Sequence, residues 1–265
     1  AFVVPFFVMY PAGTVVETME HVLLGEYVPF LILIGALFVI AGGVLVQTSF
    51  LGTDNDLLLS TLAQHPETLR GVAVVAPTAN ADTLAPLHAA GVRGIRLNLS
   101  GLSHDIPEWS AATALWDALL ARGWHLELHT DIGCLPGVLA QLPAALPLVI
   151  DHMGKPETVA AGDATVRALA IRARQASVHV KLSGAYRLGG LDAGALARLW
   201  LGELGLDRLL WGSDWPCTNH EAHADYPALH HALDDWLLDS AAVDAARVHN
   251  PNRLYWGGQT VRLRS

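Results

Sequence analysis

The most suggestive stretch of this chain places a carboxylate at the end of a buried strand. The residues 209–211 form an apolar run, and Ser213 and Asp214 follow it directly. A carboxylate among apolar neighbours is costly unless it is paired, bound to a metal or used as a base. The simpler alternative is a structural aspartate that caps the next turn. The other strands of the chain decide between the two.

Five further predicted strands also end on groups that can donate, accept or bind metal. The groups are Gln47, Arg96 with Asn98, His129 with Asp131, Asp151 with His152, and Lys181 with Ser183. One polar strand end is usually structural, whereas six in one chain are hard to obtain by chance. The pattern suits hydrolysis, with a carboxylate as base, imidazoles that polarise a carbonyl and cations that hold an anionic substrate.

These side chains can meet only if their strands end at the same edge of a sheet. The apolar runs predict seven strands, over 44–47, 71–75, 92–99, 124–129, 146–151, 178–182 and 208–211. Predicted helices alternate with them, over 56–64, 82–90, 109–122, 135–142, 164–176, 193–204 and 223–238, and a last one begins at 241. This alternation predicts a parallel sheet of βαβ units, and eight units close a (β/α)8 barrel of about 250 residues.

We therefore predict an α/β chain with a (β/α)8 TIM barrel, in which Gln47, Lys181 and the other strand ends surround one mouth. Its first strand is replaced or degenerate, and residues 35–41 are the best source for it. The alternative, an open doubly wound sheet, would require a glycine-rich phosphate loop after an early strand. The sequence contains neither a G-x-G-x-x-G nor a Walker motif.

The N-terminal segment differs from the rest of the chain. No Lys or Arg precedes Arg70, and the nineteen residues 28–46 carry no charge, which is close to the length that crosses a bilayer. We expect a helix, alone or with a poor strand, over 28–41, and two units, an apolar segment 1–42 and a barrel domain 43–265. Residues 1–42 also resemble a fragment of a membrane transporter. The sequence leaves two interpretations of this segment open: membrane contact through residues 1–46, or a buried core helix of the soluble fold.

Composition narrows the class of partner. The net charge is −9 and there is no basic run, so nucleic acid is excluded as a partner. The only two cysteines, Cys134 and Cys217, form no motif and fit a reducing compartment. We expect a cytoplasmic protein that acts on a small molecule, and the oligomeric state is open.

Five motifs in order along the chain resemble a known family. They are GVRGIRLNL (91–99), LPLVIDHMGKP (146–156), VHVKLSGAYR (178–187), DRLLWGSDWP (207–216) and NPNRLYWG (250–257). Together they resemble the TIM-barrel amidohydrolase-related hydrolases, in particular the 2-pyrone-4,6-dicarboxylate lactonases and sugar lactonases. The resemblance covers about residues 43–257.

The resemblance implies a hydrolase that acts on a small carboxylated lactone. Asp214 would activate water and His152 would help to polarise the scissile carbonyl. The substrate would be bound by Arg96, Asn98, His129, Lys155, Ser183, Tyr186 and Arg187.

One departure from the family concerns the metal. The family begins with an H-x-H pair on its first strand, and this chain has no H-x-H. A metal site would keep at most His152, Asp214 and His129, so Zn or Mn would bind weakly, or no metal would be required. The alternatives are a metal-dependent decarboxylase or amide hydrolase on the same fold, and a catalytically degenerate, membrane-tethered barrel.

Overall fold

A computed structural model describes residues 6–11, 40–223 and 225–258, with side chains for 42–222 and 225–258. One sheet organises these residues, and its eight strands lie side by side in chain order. The strands are β1 (Phe6–Pro11), β2 (Ile40–Val46), β3 (Leu69–Ala73), β4 (Val92–Asn98), β5 (His125–His129), β6 (Leu148–Ile150), β7 (Val178–Leu182) and β8 (Leu209–Trp211).

Strands β2 to β8 are all parallel, and β1 is antiparallel to β2. Helices follow the strands as the alternation predicts. They are α1 (Asp56–Gln64), α2 (Ala81–Ala89), α3 (Pro107–Ser110), α4 (Thr113–Arg122), α5 (Leu135–Leu139), α6 (Ala164–Arg172), α7 (Ala193–Leu204), α8 (Tyr226–Leu237), α9 (Ser240–Asp244) and α10 (Asn250–Trp256). The α/β, TIM-like architecture is thus confirmed for seven parallel strands.

Period-two alternation explains why polar groups line one face of the sheet. In β5, Leu126 and Leu128 belong to the apolar core between sheet and helices. Glu127 and His129 alternate with them and point to the opposite face, yet both are also buried. Strands β4 and β7 repeat this arrangement with buried Arg96 and Lys181, whereas Val44, Val46 and Val72 of β2 and β3 form a separate apolar cluster, so the inner face is polar over only part of the sheet.

The helix starts follow local capping chemistry. The Asn80 side chain accepts from the backbone N–H groups of Asp82 and Thr83, and the Thr83 hydroxyl oxygen accepts from the backbone N–H of Asn80. Asp163 and Asp192 cap α6 and α7 in a similar way. Capping of this kind stabilises a helix by about 1 kcal/mol, which is why these boundaries can be read from the sequence.

The expected first strand over 35–41 can be checked only at Ile40 and Ala41, which are strand residues. Ile40 already belongs to β2, which pairs in parallel with β3, and residues 35–39 lie outside the described part of the chain. Strand β1 occupies the edge beside β2, but it is antiparallel, unlike every strand of a (β/α)8 barrel. In the described ranges no strand pairs β8 with β1, so hydrogen bonds do not close the sheet there.

One helix prediction needs correction, and a second is extended. The helix over 109–122 is divided into α3 and α4, because Ala112 is not helical (φ −78°, ψ 48°) and the indole of Trp116 donates to the carbonyl of Trp109. The helix expected from 241 is α9, which continues through a π-helical turn, Ala245–His249, into α10.

The helix, alone or with a poor strand, that we expect over 28–41 can be checked only at its end, where Ile40 and Ala41 are strand residues. Its remainder, 28–39, lies outside the described residues. Within the part of the chain that the structure describes, no helix has both the length and the apolar character to cross a bilayer. The division into units 1–42 and 43–265 stays a prediction.

Candidate active site

The carboxyl ends of β5 to β8 meet at one mouth, as the parallel topology requires. The rings of His129 and His152 lie edge to face with centroids 4.6 Å apart. His152 Nδ1 is 3.0 Å from Ser183 Oγ, and its Nε2 is 3.8 Å from Asp214 Oδ1. All four residues were expected from the sequence to contact substrate or to react, and the fold places them together.

The two carboxylate oxygens of Asp214 differ in their hydrogen-bond partners. Oδ2 accepts from the Tyr186 hydroxyl at 2.7 Å and from Arg187 Nε at 2.5 Å. Oδ1 is buried, faces His152 and accepts no hydrogen bond from the described residues. The carboxylate is therefore held by one oxygen, and the other is oriented towards the mouth with its lone pairs available.

The backbone at the mouth is held in a conformation that L-residues rarely adopt. His152, Met153 and Lys155 have φ of 48°, 55° and 43°, and Asp214 has φ of 54°. Each such residue costs about 1–3 kcal/mol, and such residues cluster at functional sites. The rest of the fold must supply that free energy to hold His152 and Asp214 where they are.

Gly184 makes their close approach possible. It has φ of 58°, and a Cβ there would lie 2.6 Å from His152 Nδ1 and 3.2 Å from Asp214 Oδ2. A side chain at this position would push the imidazole and the carboxylate apart. The glycine of the motif VHVKLSGAYR is therefore required by packing.

Below the mouth lie four charged residues that we call the charged floor: Arg96, Glu127, Asp151 and Lys181. Lys181 Nζ is 2.6 Å from Glu127 Oε2 and 3.0 Å from Asp151 Oδ1. Arg96 is 3.0 Å from Asp151 Oδ2 and 3.4 Å from Glu127 Oε1. All four are buried, and two cations balance two carboxylates.

The floor shifts its own protonation equilibria. Burial raises the pKa of Asp151, but Lys181 and Arg96 outweigh it and hold the pKa well below the usual range. Burial lowers the pKa of Lys181, but Asp151 and Glu127 outweigh it and raise the pKa. Burial, with the repulsion of Asp151, raises the pKa of Glu127 to about 6. Asp151 and Lys181 are therefore charged at neutral pH.

The two histidines above the floor are neutral. Burial, with His152 and Arg96 nearby, lowers the pKa of His129 to about 2. Burial also lowers the pKa of His152 well below its usual range. If the Ser183 hydroxyl donates to Nδ1 of His152, the neutral ring carries its proton on Nε2, which faces the mouth.

The residues expected to bind substrate are only partly available. Arg96 donates to Asp151 and to Ser49 Oγ, and Asn98 Nδ2 donates to Ser49 Oγ at 2.7 Å. Gln47, which we expected at the mouth, donates to the backbone carbonyl of Asp54 and holds the loop after β2. Their proposed contacts with a substrate stay predictions.

Sequence reasoning did not assign a role to two residues of this region. The sequence pattern could have identified Glu127, because it is a charged residue inside the run WHLELH and alternates in phase with His125 and His129. No sequence pattern could have identified Ser49, since a serine in a polar turn looks the same whether or not it contacts a distant side chain. Its contact with Arg96 spans 47 residues of sequence.

Among the described residues, one group of side chains could bind a metal ion, and it differs from the expected pair of His152 and Asp214. Ligand atoms of His129, Asp151 and His152 all lie within 4.8 Å of one another. However, one oxygen of Asp151 faces Lys181 and the other faces Arg96, each at 3.0 Å. A divalent cation would have to compete with both, so this donor set does not suit a resident ion.

Comparison with known proteins agrees with this geometry. The family model described as Amidohydrolase matches residues 22–256. The match begins within 1–42, and nothing supports the transporter resemblance of that segment.

Similar proteins cover most of the chain. A 2-pyrone-4,6-dicarboxylate hydrolase of Comamonas testosteroni is 30% identical over 82% of this chain and 76% of its own length. The structure of a candidate 2-pyrone-4,6-dicarboxylic acid hydrolase from Pseudomonas putida is 32% identical, with a TM-score of 0.74 and 86% of each chain covered. A similar candidate from Acinetobacter baumannii, with citric acid bound, is 29% identical, with a TM-score of 0.70 and 91% and 93% covered. The chain belongs to the Amidohydrolase family.

Proposed function

We propose that this protein hydrolyses a small carboxylated lactone and that Asp214 is its general base. Relatives that hydrolyse lactones support the reaction, and the citric acid held by one similar structure supports a carboxylated ligand. The observation that carries the assignment of the base is Asp214 Oδ1, which is buried, unpartnered in the described residues and 3.8 Å from His152 Nε2.

In the proposed reaction, Asp214 and His152 act on different atoms. A water that donates to Asp214 Oδ1 attacks the lactone carbonyl and loses its proton to that oxygen. His152 donates from Nε2 to the carbonyl oxygen as negative charge develops on it. The ring C–O bond then breaks and the leaving oxygen takes the proton from Asp214, which gives a hydroxyl or enol group. The new carboxylic acid releases its proton to solvent and leaves a carboxylate on the product.

The remaining residues bind and orient. Arg187 and Tyr186 hold Oδ2 of Asp214, so they keep Oδ1 directed at the water. We infer that Lys155 and the outer edge of Arg187 bind substrate carboxylates, and that Ser183 selects the tautomer of His152. His129 and Asn98 line the mouth beside them.

A metal-dependent decarboxylase or amide hydrolase is the alternative on this fold. It would need a resident ion on His129, Asp151 and His152, where Arg96 and Lys181 already neutralise the carboxylate. We infer that Zn²⁺ or Mn²⁺ binds weakly there and that no step passes through it. A cytoplasmic location and membrane contact through residues 1–46 stay predictions.

The test is hydrolysis of 2-pyrone-4,6-dicarboxylate by the full chain, followed by the loss of pyrone absorbance and by proton release. The matched control is Asp117→Asn, which removes an exposed carboxylate on α4. We expect turnover by the wild type and the control and almost none by Asp214→Asn. Full activity of Asp214→Asn would mean that the carboxylate is a structural cap. Absence of turnover of this and other carboxylated lactones by the wild type would overturn the proposed function.

A further inference from the structure

The cations at the mouth differ in how completely they are paired. Arg187 pairs with Asp214, and Lys181 pairs within the charged floor. Lys155 is 6% exposed and, in the part of the chain that the structure describes, its Nζ donates no hydrogen bond. The carboxylate that faces it is Asp131, whose Oδ1 is 3.9 Å away, which is outside hydrogen-bond distance. Lys155 therefore keeps its donors for a ligand.

Asp131 is held in place by other groups than Lys155. Its carboxylate accepts from Gly101 N at 3.0 Å and from Ser100 Oγ at 3.1 Å, and its own N–H donates to His104 Nε2. Burial raises the pKa of Asp131, but the donors of Gly101 and Ser100 outweigh it and lower the pKa. A charged carboxylate is thus fixed to the loop after β4, beside the ammonium that faces the mouth.

We propose that Asp131 is a specificity-determining residue that weakens the hold of Lys155 on substrate carboxylates. The proposal rests on the proposed function, in which Lys155 binds such a carboxylate. A fixed anion at 3.9 Å attracts the ammonium in competition with the substrate and also repels an incoming anion. Asp131 thereby limits how strongly the site favours highly charged lactones over weakly charged ones.

The substitution Asp131→Asn removes the negative charge of the side chain and keeps its shape. The amide oxygen can still accept from Gly101 and Ser100, so the loop keeps its anchor. We expect the KM for 2-pyrone-4,6-dicarboxylate to fall by about three- to tenfold with kcat unchanged, because the gain is common to ground and transition states. The KM for unsubstituted 2-pyrone should not change, and the gain should shrink at high salt. Asp117→Asn should leave both substrates unaffected.

A double-mutant cycle tests whether the effect passes through Lys155. In the Lys155→Met background, Asp131→Asn should no longer lower the KM for the dicarboxylate, because the ammonium that it competes for is absent. A merely structural role would instead change the thermal unfolding midpoint and the KM of both pyrones by similar factors. An unchanged or raised KM for the dicarboxylate in Asp131→Asn would overturn the proposal.

Binding of citrate, measured by calorimetry, separates this proposal from the proposed function. Asp131→Asn should tighten citrate binding by the same factor of about three to ten, whether or not a lactone is hydrolysed. If the wild type hydrolyses no lactone, the proposed function is wrong. The role of Asp131 is then tested by the citrate affinities of the wild type and Asp131→Asn alone. Equal or weaker citrate binding by the variant, or no citrate binding by any form, would contradict the role of Asp131.

Discussion

The charged floor and the mouth above it use their polar groups in different ways. In the floor, the two cations and two carboxylates lie within 3.4 Å of their partners and neutralise one another. At the mouth, Asp214 Oδ1 and the Nε2 atoms of His129 and His152 are buried and have no hydrogen-bond partner among the described residues. The two layers are adjacent and equally shielded from water.

The difference separates groups that position from groups that react. A buried ion is expensive to desolvate, so a charge that is fully paired lowers the free energy of the fold but has nothing left for a ligand. A buried polar atom without a hydrogen-bond partner lowers the free energy of unfolding by about 1–3 kcal/mol. Such an atom is retained where a bound ligand supplies the missing hydrogen bond. The following variants test this division, beginning with the largest expected effect.

Asp214→Asn should remove most of the activity and leave the fold intact. The amide can still accept from Tyr186 and Arg187, but it cannot take a proton from water. We expect kcat to fall by about 10²–10⁴-fold, the usual contribution of a general base. The measurement is the initial rate of lactone hydrolysis at saturating substrate, with far-UV circular dichroism to show that the fold is unchanged. A retained kcat would place Asp214 with the positioning groups instead.

Lys181→Met should destabilise the fold more than any change at the mouth. It leaves the carboxylates of Glu127 and Asp151 buried beside each other with Arg96 as their one remaining cation in the floor. Loss of one partner of a buried ion pair costs about 3–5 kcal/mol in the free energy of unfolding. Urea unfolding at pH 7 measures the effect.

The double variant Lys181→Met/Glu127→Gln removes one charge of each sign and is the matched control. It should recover most of the lost free energy of unfolding, because Arg96 still balances Asp151. A double variant as unstable as the single one would show that the floor is not held by charge pairing. A wild-type kcat in the double variant would limit Glu127 and Lys181 to a structural role.

Gly184→Ala should disturb the mouth without touching the floor. The new Cβ meets His152 Nδ1 at 2.6 Å, and the residue must keep φ of 58°. We expect a loss of about 1–3 kcal/mol in the free energy of unfolding and a fall in kcat larger than any change in KM. Thermal unfolding and steady-state kinetics together measure both.

Gly202→Ala on α7 is the control for this substitution, since a Cβ there meets nothing within 4 Å. It should be neutral or stabilise the protein by up to about 1 kcal/mol, through helix propensity. If Gly184→Ala behaves like Gly202→Ala, the approach of His152 and Asp214 does not depend on the glycine.

Removal of metal should have the smallest effect. Because Arg96 and Lys181 occupy Asp151, dialysis against a chelator should change kcat/KM by less than about twofold, and Zn²⁺ should restore nothing. Metal content before and after dialysis is measured by atomic emission. A stoichiometric ion, lost together with activity and restored by Zn²⁺, would show that His129, Asp151 and His152 form a metal centre.

Much of the fold follows from local signals that the sequence carries. The strand 178–182 and the helices 56–64 and 193–204 have the predicted bounds. An apolar run between turn residues defines the strand, apolar periodicity defines the helices, and Asp192 also caps the second helix. The division of the helix over 109–122 was missed, since it depends on the hydrogen bond that the Trp116 indole donates to the carbonyl of Trp109. The edge strand β1, Phe6–Pro11, was missed because it pairs antiparallel with β2, which an alternation of strands and helices does not predict.

The sequence by itself determined the parallel α/β architecture and the convergence of His129, His152, Ser183 and Asp214, because the parallel topology brings the polar ends of successive strands to one edge. Only the tertiary structure decided which of these charges are paired. That Arg96 and Lys181 neutralise Glu127 and Asp151, while Lys155 faces Asp131 at 3.9 Å, depends on distances between residues up to 55 positions apart in the chain. Coulomb interactions depend on those distances and on burial, and neither is written in the order of the residues.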